Sequence, residues 1–216
     1  MLPAKLRLFL VRHGESEANR QHLFAGHTDS ALSELGQAQV EAVGQAMAAV
    51  TLDAIYCSPL QRAHNTARAI AQHQQAPLQL DNRLKEAYFG KWEGLGFQQV
   101  SEQFGEDFKM WRTNALLNGP TGGENLNAVR HRMLGVYNDV LQRHSGETVL
   151  LVGHGAAFNA LLCTILQTPL NSLWSYRLYQ ARITEVVVFE RGAVLVGFNK
   201  TVVDNPSGDY RLLSGK

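Results

Sequence analysis

Apolar and polar positions along the chain fall into blocks that switch between two periods. The first block, LRLFLVR at positions 6–12, is a near-continuous apolar run of strand length, as expected of a strand buried on both faces. After a polar loop from Ser16 to Ser30, the segment 33–50 places Leu35, Val40, Val43, Met47 and Val50 close to helical spacing, with Ser33 as its N-cap. AIYCS at 54–58 is a second short buried strand. Pro59 suits the first turn of a helix running to Ala71, and Pro77 restarts an extended LQL segment.

From Asp81 to Gly122 the alternation gives way to an aromatic, glycine-spaced stretch, YFGKWEGLGF, followed by amphipathic pieces around Val100 to Trp111. This predicts an excursion over the sheet edge. Helical spacing returns from Glu124 to His144 through Leu126, Val129, Met133, Val136 and Val140. ETVLLVGHG then supplies another buried strand, followed by a helix over 156–167. ITEVVVFE and AVLVGFN, split by Arg191-Gly192, predict a terminal hairpin, and residues 205–216 a polar tail free to move. Strand and helix blocks in this order predict an α/β fold: a three-layer α/β/α sandwich, its sheet mostly parallel, with helices on both faces.

Composition adds limits. The chain has 216 residues, 45% of them hydrophobic and 18% charged, enough for one domain with a sizeable core. The formal net charge is +1, so nothing global argues for nucleic acid or an anionic membrane surface, and anion binding has to be local. No run approaches the ~18 apolar residues of a membrane span, and MLPAK leads into the first strand without a leader pattern, so a soluble cytoplasmic protein is the expectation. Cys57 and Cys163 sit in apolar runs without metal-ligand or redox spacing and read as buried hydrophobes.

Two of the buried strands end in histidine: Arg12-His13-Gly14 and Gly153-His154-Gly155. Open α/β sheets bind ligands at the carboxyl ends of their strands, and Arg62 and Glu86 fall after further strands of the same sheet. Together these types suit phosphoryl transfer. Two arginines offer planar forks of N–H donors to phosphate oxygens. A neutral imidazole, His13, can attack phosphorus if a backbone carbonyl holds the proton on its other nitrogen. His154, kept protonated by the dianion, can donate to a phosphoryl oxygen. Glu86 can give a proton to the leaving alkoxide and then take one from the attacking water. The cationic side chains supply what a metal would, so no metal site and no cofactor are expected.

The segments VRHGESEAN, SPLQRAHNTA, NRLKEAYFGKWEG, GGENLNAVRHR and VLLVGHG, in this order from residue 6 to about 200, resemble the histidine phosphatase superfamily, also called phosphoglycerate mutase-like. The resemblance implies a single domain over 1–216, with 81–122 covering the active site. It implies His13 as the phosphorylated residue, Arg12, Asn19, Arg62 and His154 as the phosphate pocket, and Glu86 as proton donor. The loop from Phe24 to His27, Gly26 in particular, is then near the substrate, while Glu15 supports the loop and Ser16 is a weaker carry-over.

The branch is a separate question. In the cofactor-dependent mutases of this family the acid glutamate is followed by Arg, His and Tyr, with a Lys and an Arg-Arg pair further on, which help to hold a phosphoglycerate carboxylate. This chain has Ala87, Tyr88 and Phe89, then Phe97, then Arg112-Thr113, so that carboxylate site is largely missing. The short cover favours access of water to phosphohistidine. The expected function is therefore metal-independent hydrolysis of small phosphomonoesters, a small phosphorylated metabolite being the partner. A phosphoglycerate mutase and an inactive phosphate-binding or scaffold module of the same fold are the alternatives. The outer edge of the terminal hairpin leaves a homodimer open. Trp92, Phe97, Phe104, Phe108 and Trp111 form either a substrate wall or a small core beneath the excursion. Among the remaining histidines, His27 is a candidate to line the pocket, and His64, His73, His131 and His144 read as surface or cap residues.

Overall fold

The computed structural model describes residues 4–205, 207, 208 and 210. Its apolar runs form one six-stranded sheet in the order β3-β2-β4-β1-β5-β6. The strands are β1 (Leu6–Arg12), β2 (Ala54–Cys57), β3 (Leu78–Leu80), β4 (Thr148–Gly153), β5 (Ile183–Phe189) and β6 (Gly192–Lys200). The pairs β1–β4, β2–β4 and β2–β3 are parallel, whereas β5 runs antiparallel to β1 and to β6. The sheet is thus the expected mostly parallel one, edged by the expected hairpin.

The pleat sorts the apolar residues of β1 into two cores. Leu6, Leu8 and Leu10 join Tyr56, Val149 and Leu151 under α6 (Leu126–Arg143) and α7 (Gly155–Ile165). Phe9 and Val11 join Ile55, Cys57, Leu150 and Val152 under α2 (Glu34–Met47) and α3 (Gln61–Ala71). These are the two outer layers of the sandwich. Both cysteines are buried and free.

Several local expectations shift. The loop after β1 contains a short helix, α1 (Glu17–Arg20), capped by Ser16 and Asn19, whose side chains satisfy each other's backbone N–H groups. Pro59 precedes the N-cap, Leu60, rather than occupying the first helical turn. The helix after β4 stops at Ile165, with Gln167 turning into the left-handed region at φ 57°. The excursion holds two 3₁₀ turns, Asn82–Leu84 and Gly90–Trp92, then α4 (Phe97–Gln103) and α5 (Gly105–Thr113). Of the polar tail, positions 206, 209 and 211–216 lie outside the described residues. Tyr210 donates its hydroxyl to Glu185, which also accepts from Arg7 Nε at 2.7 Å.

Candidate active site

Parallel pairing in register brings the two histidine-bearing strand ends side by side. Arg12 stands opposite Gly153, and His13 N–H continues the ladder to the Gly153 carbonyl at 3.0 Å. The rings of His13 and His154, one residue past their strands, lie with centroids 5.0 Å apart. Cys57 pairs with Val152, so Ser58 emerges beside His154. Arg62 follows in the first turn of α3, and Glu86 lies in the segment after β3. All four strand ends of the parallel part therefore feed one place.

His13 is 3% exposed, and its Nδ1 lies 2.6 Å from the Gly14 carbonyl. A carbonyl only accepts, so Nδ1 carries the proton and Nε2 keeps its lone pair; among the described residues Nε2 has no hydrogen-bond partner. Burial, then the charges of Arg12 and Arg62, push the imidazole well below its ordinary titration range, so it is neutral at pH 7. The loop that carries it is fixed from below. Gly14 N–H donates to Thr66 Oγ at 3.1 Å, Ser33 Oγ donates to the Glu15 carboxylate at 2.7 Å, and Ser33 also caps α2. Gly36 allows this close approach, because a Cβ there would lie 1.9 Å from the Glu15 carbonyl oxygen.

His154 is fully buried. Ser58 Oγ accepts from Leu60 N–H at 3.3 Å and lies 2.8 Å from His154 Nε2. The buried serine hydroxyl has no other acceptor among the described residues, so it donates to Nε2, which places the imidazole proton on Nδ1. That Nδ1 is buried without a partner, as is Arg12 Nε. Burial and the neighbouring His13, Arg62 and Arg12 also hold His154 well below its ordinary range. His154 is therefore neutral in this structure, whereas the protonated state expected from sequence presupposes a bound dianion.

The two arginines differ. Arg12 donates Nη1 to the Leu178 carbonyl at 2.8 Å and lines an open cavity of about 470 Å³. Arg62, 1% exposed, donates to the carbonyls of Thr28, Ala25 and Gly26 at 3.0, 2.9 and 2.7 Å. It holds the 25–28 loop and projects charge towards both histidines. Phe24 and Ala25 line the cavity. Gly26 lies behind them, where a Cβ would meet the Ala87 carbonyl at 2.3 Å. Asn19 lines the cavity, with its Oδ1 turned back to Ser16 N–H.

Glu86 lines the same cavity at the amino end of α7, accepting from Ala87 and Ala157 N–H at Oε1 (2.9 and 3.0 Å) and from Ala156 N–H at Oε2 (3.2 Å). Its backbone is clamped from behind. Arg132 donates to the carbonyls of Arg83, Lys85 and Glu86 at 2.6, 2.6 and 2.8 Å while pairing with Glu124 at 2.9 Å. His27 Nε2 donates to the Glu86 carbonyl at 3.0 Å, and burial lowers its pKa. Glu93 joins the loop to the excursion by accepting from His27, Thr28 and Phe89 N–H at 2.7, 2.6 and 3.2 Å.

The aromatic cluster divides between a small core and the wall of the cavity. Trp92 and Phe108 are core, whereas Phe24, Phe89, Phe97 and Trp111 line the cavity with Asn159, Tyr176 and Arg177. Residues 58, 93, 132 and 159 escaped the sequence-based selection. Arg132 flanks the apolar stripe of α6 and Asn159 interrupts an otherwise apolar helix, which are the signals that mark them.

Comparison with known proteins shows the family. Residues 8–201 match the model of the histidine phosphatase superfamily, branch 1. The chain is 34% identical over 196 residues to phosphoserine phosphatase 1 of Hydrogenobacter thermophilus, covering 91% of this chain and 93% of that one. It is 30% identical over 201 residues to the adenosylcobalamin/alpha-ribazole phosphatase of Salmonella typhimurium, covering 93% and 100%. The crystal structure of the alpha-ribazole phosphatase from Shigella flexneri superposes with a TM-score of 0.85 at 27% identity, covering 91% and 98%. The chain belongs to the histidine phosphatase superfamily, among its phosphatase-type hydrolases.

Proposed function

We propose that the protein hydrolyses small phosphomonoesters through a phosphohistidine on His13. The observation that carries this reading is a lone pair and two donors without partners in one buried place: His13 Nε2, Arg12 Nε and His154 Nδ1. Buried donors are almost always satisfied, and a phosphoryl group meets both of these while presenting phosphorus to the nucleophile.

In the first step the Nε2 lone pair of His13 forms a bond to phosphorus as the ester P–O bond breaks, and the leaving oxygen takes a proton from the Glu86 carboxyl. The Gly14 carbonyl stabilises the charge that develops on the ring. In the second step water attacks phosphorus and gives its proton to the Glu86 carboxylate. The N–P bond breaks, releasing inorganic phosphate and restoring His13. Arg12, Arg62 and His154 offset the charge on the equatorial oxygens, so neither step calls on a divalent ion. The two curated relatives described above are both named phosphatases, and the cavity of about 470 Å³ leaves room for a leaving group larger than the phosphate itself.

The test compares wild type with His13→Ala on phenyl phosphate, with and without a chelator. Turnover abolished by the substitution and indifferent to chelation is expected. Retained turnover in the variant, or its loss on chelation, overturns the mechanism.

A further inference from the structure

Arg177 lies on the cavity wall, beyond the groups that the phosphate employs. Its charge is felt at Arg12, whose pKa is lowered first by burial and then, against the pull of Glu86, by Arg177. Two like charges beside one cavity are unfavourable unless an anion lies between or beside them. Among the described residues no carboxylate pairs with Arg177, whereas Arg7, Arg20 and Arg132 are each paired with one and Arg83 with two. Glu86, which lines the same cavity, is occupied by three backbone N–H groups and makes no ion pair with it.

Arg177 is also held in place, although its side chain is exposed. Asn199, in a left-handed conformation at φ 54° where β6 departs from regular pairing, donates its amide to the Arg177 carbonyl at 2.6 Å and accepts from Tyr179 N–H at 2.9 Å. The guanidinium carbon lies 5.3 Å from the centre of the Tyr179 ring, which restrains the long side chain. The same short segment carries the Leu178 carbonyl that accepts from Arg12, and its Tyr176 carbonyl accepts from Asn159 at 2.8 Å. A segment pinned by Arg12, Asn159 and Asn199 thus fixes an unpaired cation beside a phosphate pocket.

We infer that Arg177 is a specificity-determining residue that binds a second anionic group on the alcohol portion of the substrate, so that the preferred substrates are phosphomonoesters bearing a carboxylate or a further phosphate. The inference rests on the phosphomonoesterase reading. It offers another location for an anion contact where the excursion lacks the mutase set.

The experiment measures kcat/KM of wild type, Arg177→Met and Arg177→Lys on three esters: phenyl phosphate without a second anion, phosphoserine with a carboxylate, and a hexose bisphosphate with a second phosphate. The expected result is a loss in the Met variant at least about tenfold greater on one anion-bearing ester than on phenyl phosphate, as for one charge-assisted contact. The loss falls mainly in KM, and Lys recovers part of it. Whichever ester shows the effect identifies the anion. A loss of the same factor on all three, no loss on any, or wild type turning over phenyl phosphate alone overturns the role of Arg177. Wild type inactive on all three esters overturns the phosphomonoesterase reading and this inference with it.

Discussion

Arg132 does not line the cavity yet carries the backbone of the candidate acid, which makes Arg132→Met a sharp perturbation. Methionine keeps much of the side-chain volume and removes donors to three carbonyls, those of Arg83, Lys85 and Glu86, together with both bonds to Glu124. Burial pushes the Glu124 carboxyl up, but Arg132's hydrogen bonds and charge, helped by Tyr88 N–H, more than offset this and hold it below the ordinary range. Without the arginine that carboxylate is a part-buried charge lacking its counter-ion. Breaking a fully buried pair costs about 3–5 kcal/mol, and since these side chains are 16% and 23% exposed, about 2–3 kcal/mol is the reasonable figure. For a chain of this size that lowers Tm by roughly 4–12 °C. The freed 83–86 segment should also lower kcat, by about tenfold on an alkyl phosphate and less on an aryl one, because only the poor leaving group needs a well-placed proton donor. Thermal unfolding followed by circular dichroism, with steady-state assays on the two esters, measures both effects. Adding Glu124→Gln should recover part of the stability, because it removes the stranded charge. A wild-type Tm with an unchanged alkyl-to-aryl ratio would refute the clamp.

Two further perturbations address the chemistry. Glu86→Gln should slow esters of poor leaving groups at least about tenfold more than those of good ones, read as a steeper dependence of log kcat on leaving-group pKa; equal slowing would count against Glu86 as the acid. Acid should destabilise the protein through His13 and His154. Their unfolded forms take up protons near pH ~6.5 while the folded forms titrate well below, so the unfolded state binds more protons as pH falls and stability drops below pH ~6.5 by up to about 1.4 kcal/mol per pH unit for each histidine. Urea unfolding between pH 7.5 and 5 should show a shallower slope in His154→Gln than in wild type, and identical slopes would sink this account.

The catalytic candidates were legible because the strand register is written in local apolar runs. A buried strand that stops at Arg12 and another that stops at Gly153 place His13 and His154 at one edge once they pair in parallel. What holds those groups was not legible, because its partners are distant in the chain. Ser58 orients His154 across 96 residues, and Arg132 reaches back 46 residues to the Glu86 carbonyl. Arg62 was recognised as a cation, but its three loop carbonyls follow from the path of residues 25–28, which no periodicity describes. The place of Pro59 was missed by a short margin, since a proline before an N-cap and one in the first turn share the same local preference.

The choice of acceptors around the arginines separates structural cations from those of the pocket. Arg7, Arg83 and Arg132 are matched by carboxylates, so their charge is neutralised where it is held. Arg12 and Arg62 are held by carbonyl oxygens, and among the described residues neither has a carboxylate within ion-pair distance. Carbonyl dipoles orient a guanidinium and replace part of its lost hydration without cancelling its charge. Burial lowers the pKa of both groups, yet they stay protonated at neutral pH. Burial first, and then the field they leave uncancelled, keeps His13 unprotonated, with the lone pair that the proposed nucleophile needs. In the proposed mechanism the same field is available to a phosphate dianion, so one arrangement of carbonyls would serve both the nucleophile and the group it attacks.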